Sequence, residues 1–76
     1  MYSQLLYRID PDVNMARYYR VELACDLFNA ITLQRTWGRI GSRGQSCMAS
    51  FPSVASAEAA ASKLIRSKER RGYLTA

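Results

Sequence analysis

The sequence predicts an α+β fold: an antiparallel β-sheet meander of about four strands, with one C-terminal α-helix packed across one face. Strand-forming residues and turn signals alternate as far as Pro52, and after Pro52 the apolar residues recur at helical spacing. With 76 residues, the chain has room for a single domain, 1–76, with a small core.

The first two predicted strands precede residue 24. Residues 3–9 are rich in strand formers and end at the Asp-Pro-Asp turn signal of residues 10–12. In the following segment, "RYYRVEL", Tyr19, Val21 and Leu23 share one parity, and polar side chains dominate the other. This alternation predicts a strand with one face toward solvent.

The third and fourth strands follow a turn within "CDLFNA". On a strand that contains "ITLQRTWGRIG", one face carries Ile31, Leu33, Arg35, Trp37 and Arg39. Residues 41–44, bracketed by glycines, predict a hairpin loop, and the extended segment "QSCMASF" then runs to Pro52.

The helix is predicted over "SVASAEAAASKLIRSKERRG". Ser53 is the expected N-cap, cations gather in the last turns, and Gly72 suits a left-handed stop. The narrow apolar stripe of the helix consists of Ala57, Ala61, Leu64 and Ile65. We expect this stripe to bury the sheet residues Tyr19, Val21, Leu23, Ile31 and Leu33.

The charge balance favours an anionic partner. Nine Arg and two Lys face six carboxylates, so the formal net charge is +5. Arg suits phosphate because its planar guanidinium donates two parallel hydrogen bonds and stacks on flat groups. The chain lacks an apolar run of about 18 residues and a basic amphipathic helix with a wide apolar face, so we expect no membrane partner.

Catalytic and metal sites are not expected. The chain has no His, its carboxylates follow no catalytic motif, and no glycine-rich loop joins a strand to a helix. We therefore expect no enzyme activity, no metal and no cofactor. Small chains that rely on disulfides usually have four or more Cys, whereas this chain has only Cys25 and Cys47 and no segment that resembles a signal peptide. We therefore expect free thiols in a reducing, cytoplasmic setting, although one bridge between them stays open.

Trp37, the only Trp, has two interpretations. It is either a core residue at the margin of the helix or a flat plate displayed among cations. Arg35 shares its face, and burying an unpaired Arg is costly, so we expect the strand to have passed beyond the helix there and Trp37 to be partly exposed. The cations Lys68, Arg70 and Arg71 likewise either complement the helix dipole or bind phosphate.

An ordered set of residues resembles one known family. The set comprises "NMARYYRVEL", "WGRIG" followed by "GQ", Phe51, "SVASAEAA" and the closing "KERRGY". Together these segments resemble the WGR domain, the small module named for its Trp-Gly-Arg that occurs in DNA-break-sensing poly(ADP-ribose) polymerases and in short bacterial proteins. The resemblance covers nearly the whole chain.

The resemblance implies an antiparallel sheet crossed by one helix, a module that binds DNA near nicks or ends, and no transferase activity. Trp37 is expected to pack on the sugar-phosphate at a DNA terminus. Arg39, whose family counterpart also bridges to other polymerase domains, is expected to bind phosphate or to support Trp37. The expected phosphate-binding set is Arg35, Arg39, Arg43, Lys68, Arg70 and Arg71. The rival hypothesis is a protein-interaction adaptor whose Trp37 and Arg cluster docks an acidic partner, since Trp and Arg also dominate interface hot spots.

Overall fold

A computed structural model describes residues 2–75. The elements are β1 (Tyr2–Asp10), β2 (Met15–Cys25), β3 (Ile31–Arg39), β4 (Gln45–Phe51), α1 (Val54–Arg70) and β5 (Leu74–Thr75). Every strand pairs antiparallel with its neighbour, in the order β4-β3-β2-β1-β5. The predicted α+β fold is confirmed. The two-residue β5 was not predicted, because it is too short to show a pattern.

Side-chain caps close the first two turns. The Asp10 carboxylate accepts the Asp12 N–H at 3.1 Å, at the start of a 3-10 turn over Pro11–Val13. The Asp26 carboxylate accepts the N–H groups of Phe28 and Ala30 at 2.8 and 2.9 Å. This second cap fixes the tip of the β2–β3 hairpin.

The β3–β4 loop depends on glycine. Gly41 and Gly44 have φ values of 93° and 69°, which side-chain-bearing residues rarely adopt. The Tyr18 hydroxyl donates to the carbonyl of Arg43 at 2.8 Å and so ties the loop to β2. Gly44 packs so closely on this hydroxyl and on the Trp37 carbonyl that no Cβ fits there.

The core lies between α1 and one face of the sheet. The helix contributes Ala57, Ala61 and Ile65, and the predicted set Tyr19, Val21, Leu23, Ile31 and Leu33 is buried, as expected from its parity. Leu6 of β1 and Tyr73 complete the buried cluster. The opposite face of the sheet is not covered by the helix.

Both predicted helix boundaries are confirmed. The Ser53 hydroxyl accepts the Ser56 N–H at 3.1 Å, and Gly72 has a φ of 95° just past the last turn. Cys25 and Cys47 are exposed free thiols. In the described range 2–75, no helix is long and apolar enough to cross a membrane.

At one edge of the sheet, β4 pairs only with β3. Its seven residues carry neither a charge nor a proline, the two devices that most often protect an exposed edge from pairing with another chain. The other side of β4 therefore presents unpaired backbone groups to solvent.

The tight contact at Gly44 predicts a difference between two glycine substitutions. Gly44→Ala and Gly41→Ala both place a side chain in left-handed backbone, at about 1–3 kcal/mol each. Only Gly44→Ala also collides with neighbouring atoms, whereas nothing lies near a Cβ at Gly41. We expect Gly44→Ala to reduce the free energy of unfolding by at least about 1 kcal/mol more than Gly41→Ala. Equal losses in urea denaturation would contradict the packing described for this loop.

Candidate nucleic-acid interface

Trp37 lies where the core of the sheet gives way to its basic end. It pairs directly with Tyr19 of β2, which in turn pairs with Leu6 of β1. Its indole is half-buried and packs against the core cluster. Trp37 thus combines parts of both sequence interpretations, because one part of the ring packs on the core and the rest stays accessible.

A cavity of about 290 Å³ opens beside the indole. We call it the Trp37 cavity, and its lining consists of Tyr19, Arg35, Trp37, Leu64, Ser67, Lys68 and Arg71. The last turns of α1 reach Trp37, whereas the sequence suggested that β3 leaves the cover of the helix at Arg35. The reason is that Lys68 and Arg71 fall on the same side of α1 as its apolar stripe.

Cations lie over aromatic rings in and next to this cavity. The Arg35 guanidinium carbon is 5.6 Å from the centroid of the Trp37 ring. Lys68 Nζ lies 4.8 Å from the centroid of Tyr19 and 5.5 Å from that of Tyr73. The two tyrosines meet edge to face, with centroids 6.4 Å apart. Each ring holds a cation in place through its electron-rich face.

The positive charges of this region repel one another. The pKa of Lys68 is lowered, first by burial and then by the charges of Arg71, Arg35 and Arg17. By contrast, the pKa of Arg35 is raised, mainly through its contacts with the Cys47 thiol and the Tyr19 hydroxyl. A bound anion would relieve the repulsion at Lys68.

Tyr19 contributes a buried polar atom without a partner. Its side chain is only 2% exposed, and no described group lies in hydrogen-bonding geometry with its hydroxyl, although the Arg35 guanidinium is near. A buried hydroxyl without a partner costs about 1–3 kcal/mol. The Tyr19 side chain also lines the Trp37 cavity, next to the Arg35 guanidinium.

A row of arginines crosses the sheet next to the Trp37 cavity. Arg8, Arg17 and Arg39 lie directly opposite one another on β1, β2 and β3, on the helix-covered face. Arg39 donates to the Asn14 carbonyl at 3.2 Å and to the Asn14 side-chain oxygen at 3.4 Å. We call these three residues the arginine row. Like charges in direct cross-strand contact destabilise a sheet, so the row favours an anionic ligand.

The sequence-predicted residues therefore divide into groups. Arg35, Trp37, Lys68 and Arg71 meet in one cavity, and Arg39 lies in the adjacent row. Arg43 lines a different cavity, on the uncovered face of the sheet. Arg70 is exposed and, nine positions after the buried Ala61, points away from the sheet.

Sequence reasoning missed four residues of this region. Arg17 shares the parity of Tyr19 on β2, so the alternation of that strand could have identified it. The sequence analysis assigned Tyr19 to the core without noticing its unpaired hydroxyl. Arg8 joins the site only through the β1–β2 register, and Tyr73 only through the chain reversal at Gly72.

The described residues offer no candidate metal site. Across the described residues 2–75, no three Cys, Asp or Glu side chains come together in a group able to hold a metal ion. The chemistry of the region is that of cations and aromatic rings.

Comparisons with known proteins agree with the resemblance found in the sequence. The family model of the WGR domain matches residues 2–76. The uncharacterised protein y4dW of Sinorhizobium fredii is 42% identical over 72 residues, which are 95% of this chain and 35% of that protein. A crystal structure of a Bacteroides fragilis protein superposes with a TM-score of 0.82 at 23% identity, over 99% of this chain and 19% of that one. The crystal structure supports the fold alone. The chain spans about a third of the first relative and about a fifth of the second.

The crowding of cations around Lys68 predicts how stability changes with pH. The lowered pKa means that the unfolded chain binds the lysine proton more tightly, so deprotonation of Lys68 stabilises the folded state. Its contribution should therefore rise with pH between the lowered pKa and the ordinary value of 10.5. Chemical denaturation across this interval, with Lys68→Met as the reference, measures it. A contribution that falls with rising pH would contradict the repulsion.

Proposed function

The chain belongs to the WGR domain family, and from this premise we propose that it is a non-catalytic nucleic-acid-binding module that recognises DNA backbone and strand ends with low sequence specificity. The expectation of a cytoplasmic setting forms part of this proposal. It is supported by the two free thiols, which are usual in a reducing compartment.

The observation that carries the proposal is the Trp37 cavity. It combines one flat indole, the three cations Arg35, Lys68 and Arg71, and a buried hydroxyl that lacks an acceptor. A base or sugar stacks on an indole regardless of sequence, and guanidinium and ammonium groups neutralise the neighbouring phosphates.

A strand end fits this cavity better than the middle of a duplex. The indole is half-buried in a concave site, where a terminal sugar or base can lie flat against it. Inside a continuous duplex, both faces of each base are already covered by its neighbours. We therefore assign to Trp37 the role of capping the terminus.

The arginine row extends the positive surface beyond the cavity. Arg8 and Arg17 continue the line that begins at Arg39, so a phosphate backbone that leaves the cavity meets further cations. Such contacts supply affinity without sequence information, and they bind more weakly as salt increases. Arg39, held through Asn14, positions this backbone.

The proposal implies weak discrimination between sequences. Reading base edges in a major groove requires a helix or β-ribbon that projects from the protein. Here α1 lies against the sheet, and only residues of its last turns, Leu64, Ser67 and Lys68, line the cavity. Shape and charge therefore dominate over base identity.

A protein-interaction adaptor is the second candidate. An apolar groove of about 360 Å³ lies between β4 and α1, with Leu33, Phe51 and Leu64 in its lining. Arg35 lines both this groove and the Trp37 cavity. The combination suits a partner with an apolar side chain next to acidic residues. Absence of DNA binding even at low salt would favour this candidate.

Removing the indole provides the first test of the proposal. We expect Trp37→Ala to weaken binding to a 5'-phosphorylated nicked or blunt-ended duplex by about 1–3 kcal/mol, because one stacking contact is lost. Fluorescence anisotropy over a salt series measures the affinity. The logarithmic salt slope should stay the same in Trp37→Ala and become shallower by about 0.9 in Arg71→Gln. Arg66→Gln, which removes an exposed charge from the outer side of α1, is the matched control. Unchanged affinity in a folded Trp37→Ala would contradict the stacking role.

Tyr19→Phe separates ligand binding from folding. The substitution removes a buried hydroxyl that has no partner, so the free protein should keep or gain stability. If the hydroxyl donates to a phosphate oxygen, affinity for the DNA end should fall by about 1.5–3 kcal/mol. Thermal melts and anisotropy on the same samples measure both quantities. A loss of stability with no loss of affinity would place the hydroxyl in the fold rather than in the site.

A further inference from the structure

The face of the sheet opposite α1 carries aromatic and apolar side chains. We call it the open face. Tyr7 of β1 and Tyr18 of β2 are directly paired there, and Ile9 is 66% exposed. Ile40, in the β3–β4 loop, and Leu74 of β5 are also exposed. Isolated exposed apolar residues are ordinary, but a contiguous set around two aromatic rings is typical of a binding surface.

Tyr18 is held rigidly on this face. It lies opposite Gly38, which offers no side chain, and its hydroxyl is bound by the Arg43 carbonyl at 2.8 Å. The polar atom of Tyr18 is therefore already satisfied within the protein. The ring remains as a fixed, half-buried platform that needs no ordering when a flat ligand binds.

Two cavities that share Tyr7 in their linings lie on this face of the sheet. The first, of about 370 Å³, is bounded by Tyr7, Tyr18, Arg20 and Arg43 among its lining residues. The second, of about 270 Å³, lies on the β5 side and also includes Tyr7. Tyr7 thus stands between two concave sites. An extended ligand with repeating flat groups can occupy both.

From this arrangement we propose that the open face is a second binding site, specific for single-stranded nucleic acid. Unpaired bases stack on Tyr7 and Tyr18, while Arg20 and Arg43 hold the neighbouring phosphates. Unpaired bases can leave their own stack and lie on aromatic side chains, whereas paired bases cannot. The hydroxyls of Thr36 and Ser42 line the first cavity and provide additional polar contacts.

The proposal accounts for the position of Arg43. The sequence grouped this residue with Trp37, but it lines a cavity on the other face. Glu22 also belongs to this face, two positions from Arg20, and marks the end of the positive surface. The bound nucleic-acid strand is therefore expected to run across the open face from the β3–β4 loop, which contains Arg43, toward β5 and away from Glu22.

The test uses a labelled oligothymidylate of about 12 nucleotides, a length within the usual site sizes of single-strand binders. Binding is measured by anisotropy at low salt in the Trp37→Ala background, which removes the stacking residue of the other face. We expect this variant to retain its affinity for the oligothymidylate. Adding Tyr7→Thr should weaken binding about fivefold to a hundredfold, and adding Arg43→Gln about tenfold.

If Tyr7→Thr unfolds the protein, Arg43→Gln still provides a test. Arg43 accepts the hydrogen bond of Tyr18 through its backbone carbonyl, and this bond is kept when only the side chain is changed. Arg66→Gln removes the same charge from the outer side of α1 and is the matched control, expected to change affinity less than about twofold. An oligouridylate in parallel distinguishes DNA from RNA strands, and binding of either supports the site.

Equal affinities of the Arg43→Gln and Arg66→Gln variants for the single strand would overturn the proposal. So would loss of single-strand binding in Trp37→Ala, because the strand would then occupy the Trp37 cavity. A dimer in sedimentation that Tyr7→Thr dissociates, without strand binding, would assign the face to a second copy and also overturn it. Failure of the proposed function would give a different result, because the affinity for duplex ends would then be the same in Trp37→Ala as in the wild-type protein.

Discussion

The rest of the structure depends on how a stripe of small apolar residues on α1 packs against one face of the sheet. Ala57 and Ala61 are almost fully buried, and their small side chains let the helix lie close to β2 and β3. The helix is long enough to extend from the hydrophobic end of the sheet to its basic end. For this reason Lys68 and Arg71 reach Trp37.

Along β3, the residues on the helix side change steadily from buried apolar side chains to exposed cationic ones. Ile31 and Leu33 are buried, Arg35 and Trp37 are half-buried, and Arg39 is exposed. Under the proposed function, β3 therefore serves both folding and binding. Rigid strands hold such side chains more precisely than loops do.

The sequence predicted the elements of the fold well, because parity, capping residues and glycine stops are local signals. Ser53, Gly72 and the buried residues of β2 follow from such signals. The candidate site depends on non-local geometry. The register that aligns Arg8 with Arg17 and Arg39 is set by turns and core packing, so no local sequence pattern predicts it. The face occupied by Arg43 depends on how the loop folds back on Tyr18.

Because the edge strand β4 carries no charge, the tendency of the protein to associate with itself depends on its net charge. Neither lysine nor proline on that strand keeps a second chain away, whereas the net charge of +5 makes copies of the protein repel one another. Repulsion of this kind weakens as ionic strength rises or as polyanions neutralise the surface. Under the proposed function, bound nucleic acid would weaken the same repulsion and so favour edge-to-edge contact between copies.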